Sequence, residues 1–176
     1  DLELAAQTCV ESRLINSGQS CIAAKRFIVV KEVESDFIRL FKEKMAAKVV
    51  GDPLDEKTHI GPLARIDLRD QVHQQVLDSI SRGAKCILGG EVPNEDGAFY
   101  LPTILTGVKK GMPAYDEEIF GPVAAIITAE DEQEAIRIAN DTQFGLGAAV
   151  FTRDLSKGEE IAKIHLNAGS CFVNSF

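Results

Sequence analysis

Asn16-Ser17-Gly18-Gln19-Ser20-Cys21-Ile22-Ala23-Ala24-Lys25-Arg26-Phe27 is the stretch on which the reading of this chain turns. Before it, Leu2, Ala5, Ala6, Cys9, Val10 and Leu14 recur at helical spacing, predicting a helix from Leu2 to about Ser17. After it, Phe27-Ile28-Val29-Val30 is almost wholly apolar and β-branched, as in a strand from Arg26 to Lys31 buried on both faces. Cys21 therefore sits on a glycine-containing turn between a helix and a strand, where a nucleophile can be presented. A cysteine attacks carbonyls as its thiolate, which a helix end, a cation or oriented N–H groups stabilise. Gly18 allows the sharp turn. Asn16 and Gln19 offer amide donors for a developing oxyanion, and Lys25 and Arg26 add positive charge. The competing reading makes Cys21 a packed small hydrophobe.

Working outward, the pattern is that of an α/β chain. Val33, Phe37, Leu40, Phe41 and Met45 form one stripe of an amphipathic helix, opposite Glu34, Arg39, Lys42 and Glu43. Gly51-Asp52-Pro53 ends it. A second helix is predicted from Arg65 to Arg82, with Leu68, Val72, Val76 and Ile80 inward and Gly83 as its left-handed cap. Strands are expected at Ala84 to Leu88, at Val123 to Ile127 and at Leu146 to Phe151, with an extended segment from Ala98 to Leu105. Acidic residues open a helix from Glu130 to Asn140, and Asp154 or Ser156 can cap another that runs to His165. Helix, short loop and strand recurring in this order predict layered α/β architecture in a single domain.

Composition narrows the function. With 176 residues and 45% hydrophobic content the chain can bury one sizeable core. A net charge of −8, with basic residues scattered among acids, argues against nucleic acid or an anionic membrane as partner. No apolar run is long enough to span a bilayer, and the acidic start Asp1-Leu2-Glu3 lacks the pattern of a signal peptide. Cys9, Cys21, Cys86 and Cys171 are irregularly spaced, which predicts four free thiols in a reducing, cytoplasmic setting. His59, His73 and His165 form no ligand pair, so no metal site is expected. His165, near a helix C-terminus, reads as a surface or dipole partner.

The string Asn16, Gly18, Gln19, Cys21, Ala23, Lys25, Arg26 resembles the active-site segment of the aldehyde dehydrogenase family. Glu117-Glu118-Ile119-Phe120-Gly121-Pro122-Val123 is similar to a second motif of that family, in a loop rich in Gly and Pro. Supporting matches at Gly61-Pro62-Leu63, Phe99 to Thr103, Phe144-Gly145-Leu146, Ala168-Gly169 and Val173-Asn174 extend the resemblance along the whole chain. The resemblance implies a three-layer α/β/α catalytic domain with a central, mostly parallel sheet. Cys21 would attack an aldehyde to give a thiohemiacetal, then a thioester that water hydrolyses. Glu118 would accept ribose hydroxyls of NAD or NADP, and Phe120 would pack at the nicotinamide end. Ser20 and Ile22 would line the substrate pocket. The wording from Arg13 to Val29 is closest to bacterial succinate-semialdehyde dehydrogenases.

The resemblance also marks what this chain does not carry. No dinucleotide-binding glycine pattern precedes Cys21, and the family's general-base motif is not found. Residues 1–176 are thus expected to be the nucleophile-bearing domain. The Rossmann-type cofactor domain and a C-terminal oligomerisation segment would lie elsewhere in the full protein, itself a dimer or tetramer. This chain alone is expected to turn over little or no aldehyde. Two other readings stay open here: a different aliphatic aldehyde as substrate, or a cofactor-independent thiol hydrolase or acyltransferase. A non-catalytic module with a packed Cys21 is a third.

Overall fold

The computed structural model describes residues 1–176. Its central sheet has the strand order β1-β4-β3-β2, built from β1 (Arg26–Val30), β2 (Lys85–Leu88), β3 (Thr103–Thr106) and β4 (Val123–Ala129). β1 and β3 both pair parallel with β4, and β2 joins β3 antiparallel with an irregularity between Cys86 and Leu88. The sheet is mostly parallel, as the resemblance implies. A separate parallel pair, β5 (Gly147–Val150) and β6 (Ser170–Val173), follows.

Helices cover both faces. α1 (Leu2–Leu14) and α2 (Glu34–Ala46) lie on one, where Val10, Phe37, Phe41 and Met45 pack with Phe27, Ile104 and Ile126. α3 (Ile66–Ser81), α4 (Pro113–Asp116) and α5 (Glu132–Asn140) lie on the other, where Val72, Val76, Tyr115 and Ile138 meet Leu105, Val123 and Ile127. Successive β4 residues feed these layers alternately, because side chains of a strand point to opposite faces. Three layers result.

Three helix starts are capped by aspartates. Asp1, Asp131 and Asp154 each accept a main-chain N–H of the first turn of α1, α5 and α6 (Leu155–Glu160). α6 continues as a widened turn to exposed His165. The strand expected to be buried on both faces is corrected: β1 alternates, with Phe27 and Val29 buried and Arg26, Ile28 and Val30 half-buried. Phe27 and Val29 face the α1/α2 layer, whereas Arg26 and Ile28 face the shorter cover of α5. The helix expected to reach Ser17 stops at Leu14.

Cys9 packs against the α1/α2 layer, and burial pushes its thiol up to about 12. The unfolded thiol ionises from about pH 9 while the folded one stays neutral, so this stabilisation is complete below about pH 9 and is lost on the way to 12. Thermal unfolding should therefore worsen above pH 9, by up to about 1.4 kcal/mol per pH unit from this group. Cys9→Ala should flatten that slope in melts at pH 8 to 11. An unaltered slope would remove Cys9 from the account.

Candidate active site

The site begins where α1 ends. After Leu14 the backbone turns left-handed at Asn16 (φ 50°), Ser17 (φ 56°) and Gly18 (φ 79°). Asn tolerates this region and Gly occupies it without strain. The reversal delivers Cys21 to a tight turn in which the Ala23 N–H donates to the Ser20 carbonyl at 3.1 Å. The chain then enters β1.

Neighbouring side chains fix this path. Arg13 Nη2 donates to the Gly18 carbonyl at 2.8 Å. Ser12 Oγ accepts from the Ala24 N–H at 3.3 Å. The 61–64 loop docks on the same turn: Ser17 Oγ accepts from Gly61 N at 3.1 Å, and Gln19 Oε1 from Ala64 N at 2.8 Å. Asn16 and Gln19 were expected to offer free amide donors for an oxyanion. Instead Asn16 Nδ2 donates to the Gln19 carbonyl at 3.2 Å and Gln19 Nε2 to the Asn16 carbonyl at 3.4 Å. They staple the turn.

The second segment arrives from the opposite layer. Ile119 is buried in the α3/α4/α5 core, which turns Glu118 and Phe120 outward. Gln75 of α3 holds the loop by donating to Glu117 Oε2 at 2.9 Å and the Glu118 carbonyl at 3.3 Å. The two segments meet backbone to backbone. A Cβ on Gly18 would lie 2.2 Å from the Gly121 oxygen, so only a glycine permits this approach. Gly121 in turn backs onto Val72 and Leu63.

Lys25 joins the parts. Its Nζ donates to the carbonyls of Ser20 (3.3 Å), Cys21 (3.2 Å) and Ala23 (3.0 Å). It also pairs with Glu118 Oε1 at 3.2 Å and lies 6.0 Å from the centre of the Phe120 ring. Burial lowers the Lys25 ammonium from its ordinary range, and the hydrogen bond it donates to Glu118 opposes that. Cys21, Glu118 and Phe120 are thus gathered around one ammonium. Ser20 is half-buried beside Cys21, and Ile22 is 63% exposed on its other side.

Cys21 is the exposed cysteine; Cys9, Cys86 and Cys171 are half-buried. Burial raises the thiols of Cys9 and Cys86, and Cys86 Sγ donates to the Leu88 carbonyl at 3.2 Å. No histidine is bonded to Cys21. His73 Nδ1 meets the Tyr100 hydroxyl at 3.2 Å, His59 Nδ1 accepts from Val49 N at 3.2 Å, and His165 faces Glu160. A Cys–His hydrolase arrangement is therefore not built by these contacts. Arg26, expected to add charge beside Cys21, instead reaches the C-terminal carbonyls of α5 at Ile138 and Ala139 and stacks over Tyr115. No three His, Cys, Asp or Glu side chains converge as a metal group.

Arg13 escaped the sequence reading. It is 0% exposed, and Nε and Nη1 have no protein partner. Burial pushes its guanidinium down to about 10, with the Glu118 carboxylate opposing. A signal existed: Arg13 stands three residues after Val10 and seven after Ala6, on the apolar stripe of α1. A charge on a buried stripe marks a group held for a purpose.

A wet, exposed carboxylate, an open aromatic face and an exposed thiol on adjoining loops make a chemically coherent set. The carboxylate suits a vicinal diol, as in ribose, and the Phe120 ring, 38% exposed, suits a flat heteroaromatic end. These residues fit a nicotinamide nucleotide.

Known proteins share this sequence and fold. Residues 1–176 match the model of the aldehyde dehydrogenase family. The chain is 45% identical over 176 residues to succinate semialdehyde dehydrogenase [NAD(P)+] Sad of Escherichia coli (strain K12), covering all of this chain and 38% of that protein. It is 48% identical over 174 residues to an aldehyde dehydrogenase of Paenarthrobacter nicotinovorans, covering 99% of this chain and 38% of that one. Among solved structures, a Mycobacterium tuberculosis aldehyde dehydrogenase complexed with NAD+ superposes with a TM-score of 0.96 at 34% identity, over 100% of this chain and 37% of that one. The chain thus spans little more than a third of the length of these relatives. Motif, fold and sequence converge, and the chain belongs to the aldehyde dehydrogenase family.

Proposed function

We propose that residues 1–176 are the nucleophile-bearing catalytic domain of an NAD(P)-dependent aldehyde dehydrogenase, with succinate semialdehyde as the foremost substrate. The observation that carries this reading is the meeting of Cys21, Glu118 and Phe120 around Lys25, on two loops that touch at Gly18 and Gly121. The E. coli relative, named for succinate semialdehyde, supports the substrate. The Mycobacterium tuberculosis structure, complexed with NAD+, supports the cofactor.

The chemistry follows from the residues. The Cys21 thiolate forms an S–C bond to the aldehyde carbon, and the carbonyl π pair moves to oxygen. The Cys21 N–H would receive that charge. A nicotinamide nucleotide held by Glu118 and Phe120 would supply the acceptor for the hydride on this carbon. The oxygen then re-forms its double bond, leaving a thioester on Cys21. Water adds to it and the thiolate departs, releasing the carboxylic acid. Glu118 orients the ribose, Phe120 supports the nicotinamide end, and Ser20 and Ile22 flank the aldehyde. The partner domain that carries the rest of the cofactor site lies outside residues 1–176. We infer a cytoplasmic, reducing setting from four free thiols, and a dimeric or tetrameric full protein.

The test is brief treatment of the folded chain with substoichiometric iodoacetamide near neutral pH, with the adduct located by peptide mass. Cys21 should be modified well ahead of Cys9, Cys86 and Cys171. Equal reactivity of all four would sink the nucleophile assignment. The chain alone should form little or no NADH from succinate semialdehyde, and rapid turnover would show that it needs no partner domain.

A further inference from the structure

Lys25 has an overloaded ammonium. Four oxygens, the carbonyls of Ser20, Cys21 and Ala23 and Glu118 Oε1, lie within 3.3 Å of Nζ. An ammonium has three N–H donors. At least one contact is therefore shared, and whatever weakens one strengthens the others. Three of the four partners belong to the turn that presents Cys21, and the fourth is the carboxylate assigned to the cofactor ribose. The side chain is 19% exposed against 38% for Glu118, so screening by water is only partial. The charged groups facing this centre are Arg13 from α1, Glu118 from the loop before β4, and the Cys21 thiol itself.

We propose that Lys25 is a positioning residue that couples the ribose-binding carboxylate Glu118 to the reactivity of Cys21, a role that rests on the dehydrogenase reading above. With Glu118 paired to Lys25, the ammonium charge is partly neutralised at the nucleophile turn. When ribose hydroxyls donate to Glu118, its hold on Lys25 loosens and more of that charge serves the Cys21 thiolate. Occupancy of the cofactor site is thereby sensed at sulfur, through one side chain and with no movement of the sheet.

The test needs no cofactor. Second-order rates of Cys21 alkylation by iodoacetamide are measured between pH 6 and 9 for the native chain, Lys25→Met, Glu118→Gln and the double variant. Lys31→Met, which removes a charge paired with Glu130 at 2.8 Å on the surface, serves as control. Lys25→Met should slow alkylation about five- to tenfold at pH 7, the effect of removing a cation bonded to the main-chain carbonyl of the residue that carries the thiol. Glu118→Gln should act in the opposite sense, accelerating it about threefold and moving the profile to lower pH. In the Lys25→Met background Glu118→Gln should have less than half that effect, because the path through Lys25 is gone. Lys31→Met should leave the rate unchanged. An equal Glu118→Gln effect in both backgrounds would mean that Glu118 acts on sulfur directly, and would overturn the coupling. If Lys25→Met fails to fold, the Glu118→Gln arm still decides: an unchanged or slower rate overturns it. Should Cys21 of the native chain label no faster than the other three cysteines, the nucleophile reading itself fails and the coupling with it. Should Cys21 label first while the cycle is additive, only the coupling fails.

Discussion

Cys21→Ala in the complete enzyme that carries this domain should lower aldehyde-dependent NAD(P)H formation by at least about 10³-fold, with binding of NAD(P)+ retained within about threefold. The reason is chemical. Without sulfur at the turn no S–C bond forms, and an aldehyde hydrogen is not a hydride donor until a nucleophile has added to its carbon. Ala fits the turn because Cys21 is exposed. Its melting temperature should therefore stay within a degree or two of native. Intact mass after quenching a turnover reaction should show the acyl adduct on the native protein and none on the variant. A variant that still oxidised succinate semialdehyde at even a tenth of the native rate would remove Cys21 from the mechanism.

Gly18→Ala should cost the fold more than any other single methyl group in the site. The new Cβ would stand 2.2 Å from the Gly121 oxygen, 2.4 Å from its carbon and 2.9 Å from Pro122 N, all main-chain atoms. None is the yielding end of a side chain. Residue 18 also sits at φ +79°, which an L side chain occupies only with strain. The strain alone is about 1–2 kcal/mol. With the clash, about 4 kcal/mol is expected, or roughly 10 °C in melting temperature for a chain of this size. Gly111→Ala separates the two causes. Gly111 has φ +92° but nothing within 4 Å of a built Cβ, so it should lose only the strain. Melts of both variants, together with the Cys21 alkylation rate, provide the check. Gly18→Ala should slow labelling as well, because the turn must part from the Gly121 loop. Equal melting points for the two variants would mean the loops separate freely, and the contact does not hold the site together.

The amino-acid sequence by itself determined the classes of element and their inward faces. The stripe of Phe37, Phe41 and Met45 could only be a core-facing helix, since 3.6-residue periodicity leaves one side apolar, and all three are buried. The run from Val123 to Ile127 read as a strand, and both of its faces are covered. The loop rich in Gly and Pro marked the Glu118 segment as surface, and both Glu118 and Phe120 are exposed, with Ile119 turned in between them. The place of Cys21, on a turn between a helix and a strand, was legible from its local string.

Tertiary structure decided everything that depends on which distant segments meet. That β1 is an edge strand follows from the pairing order, which local composition does not encode. Arg26, next to Lys25 in sequence, opens β1 and points away to the end of α5. Asn16 and Gln19 carry the donors of an oxyanion hole by type, yet the left-handed turn brings each within reach of the other's carbonyl. Arg13 lay on the apolar stripe, but its target, the Gly18 carbonyl, comes into range only once the chain reverses. The pairing of Lys25 with Glu118 joins opposite layers of the fold across the Gly18–Gly121 contact. Local physics chose the side chains and their faces; the closeness of two glycine backbones chose which of them act together.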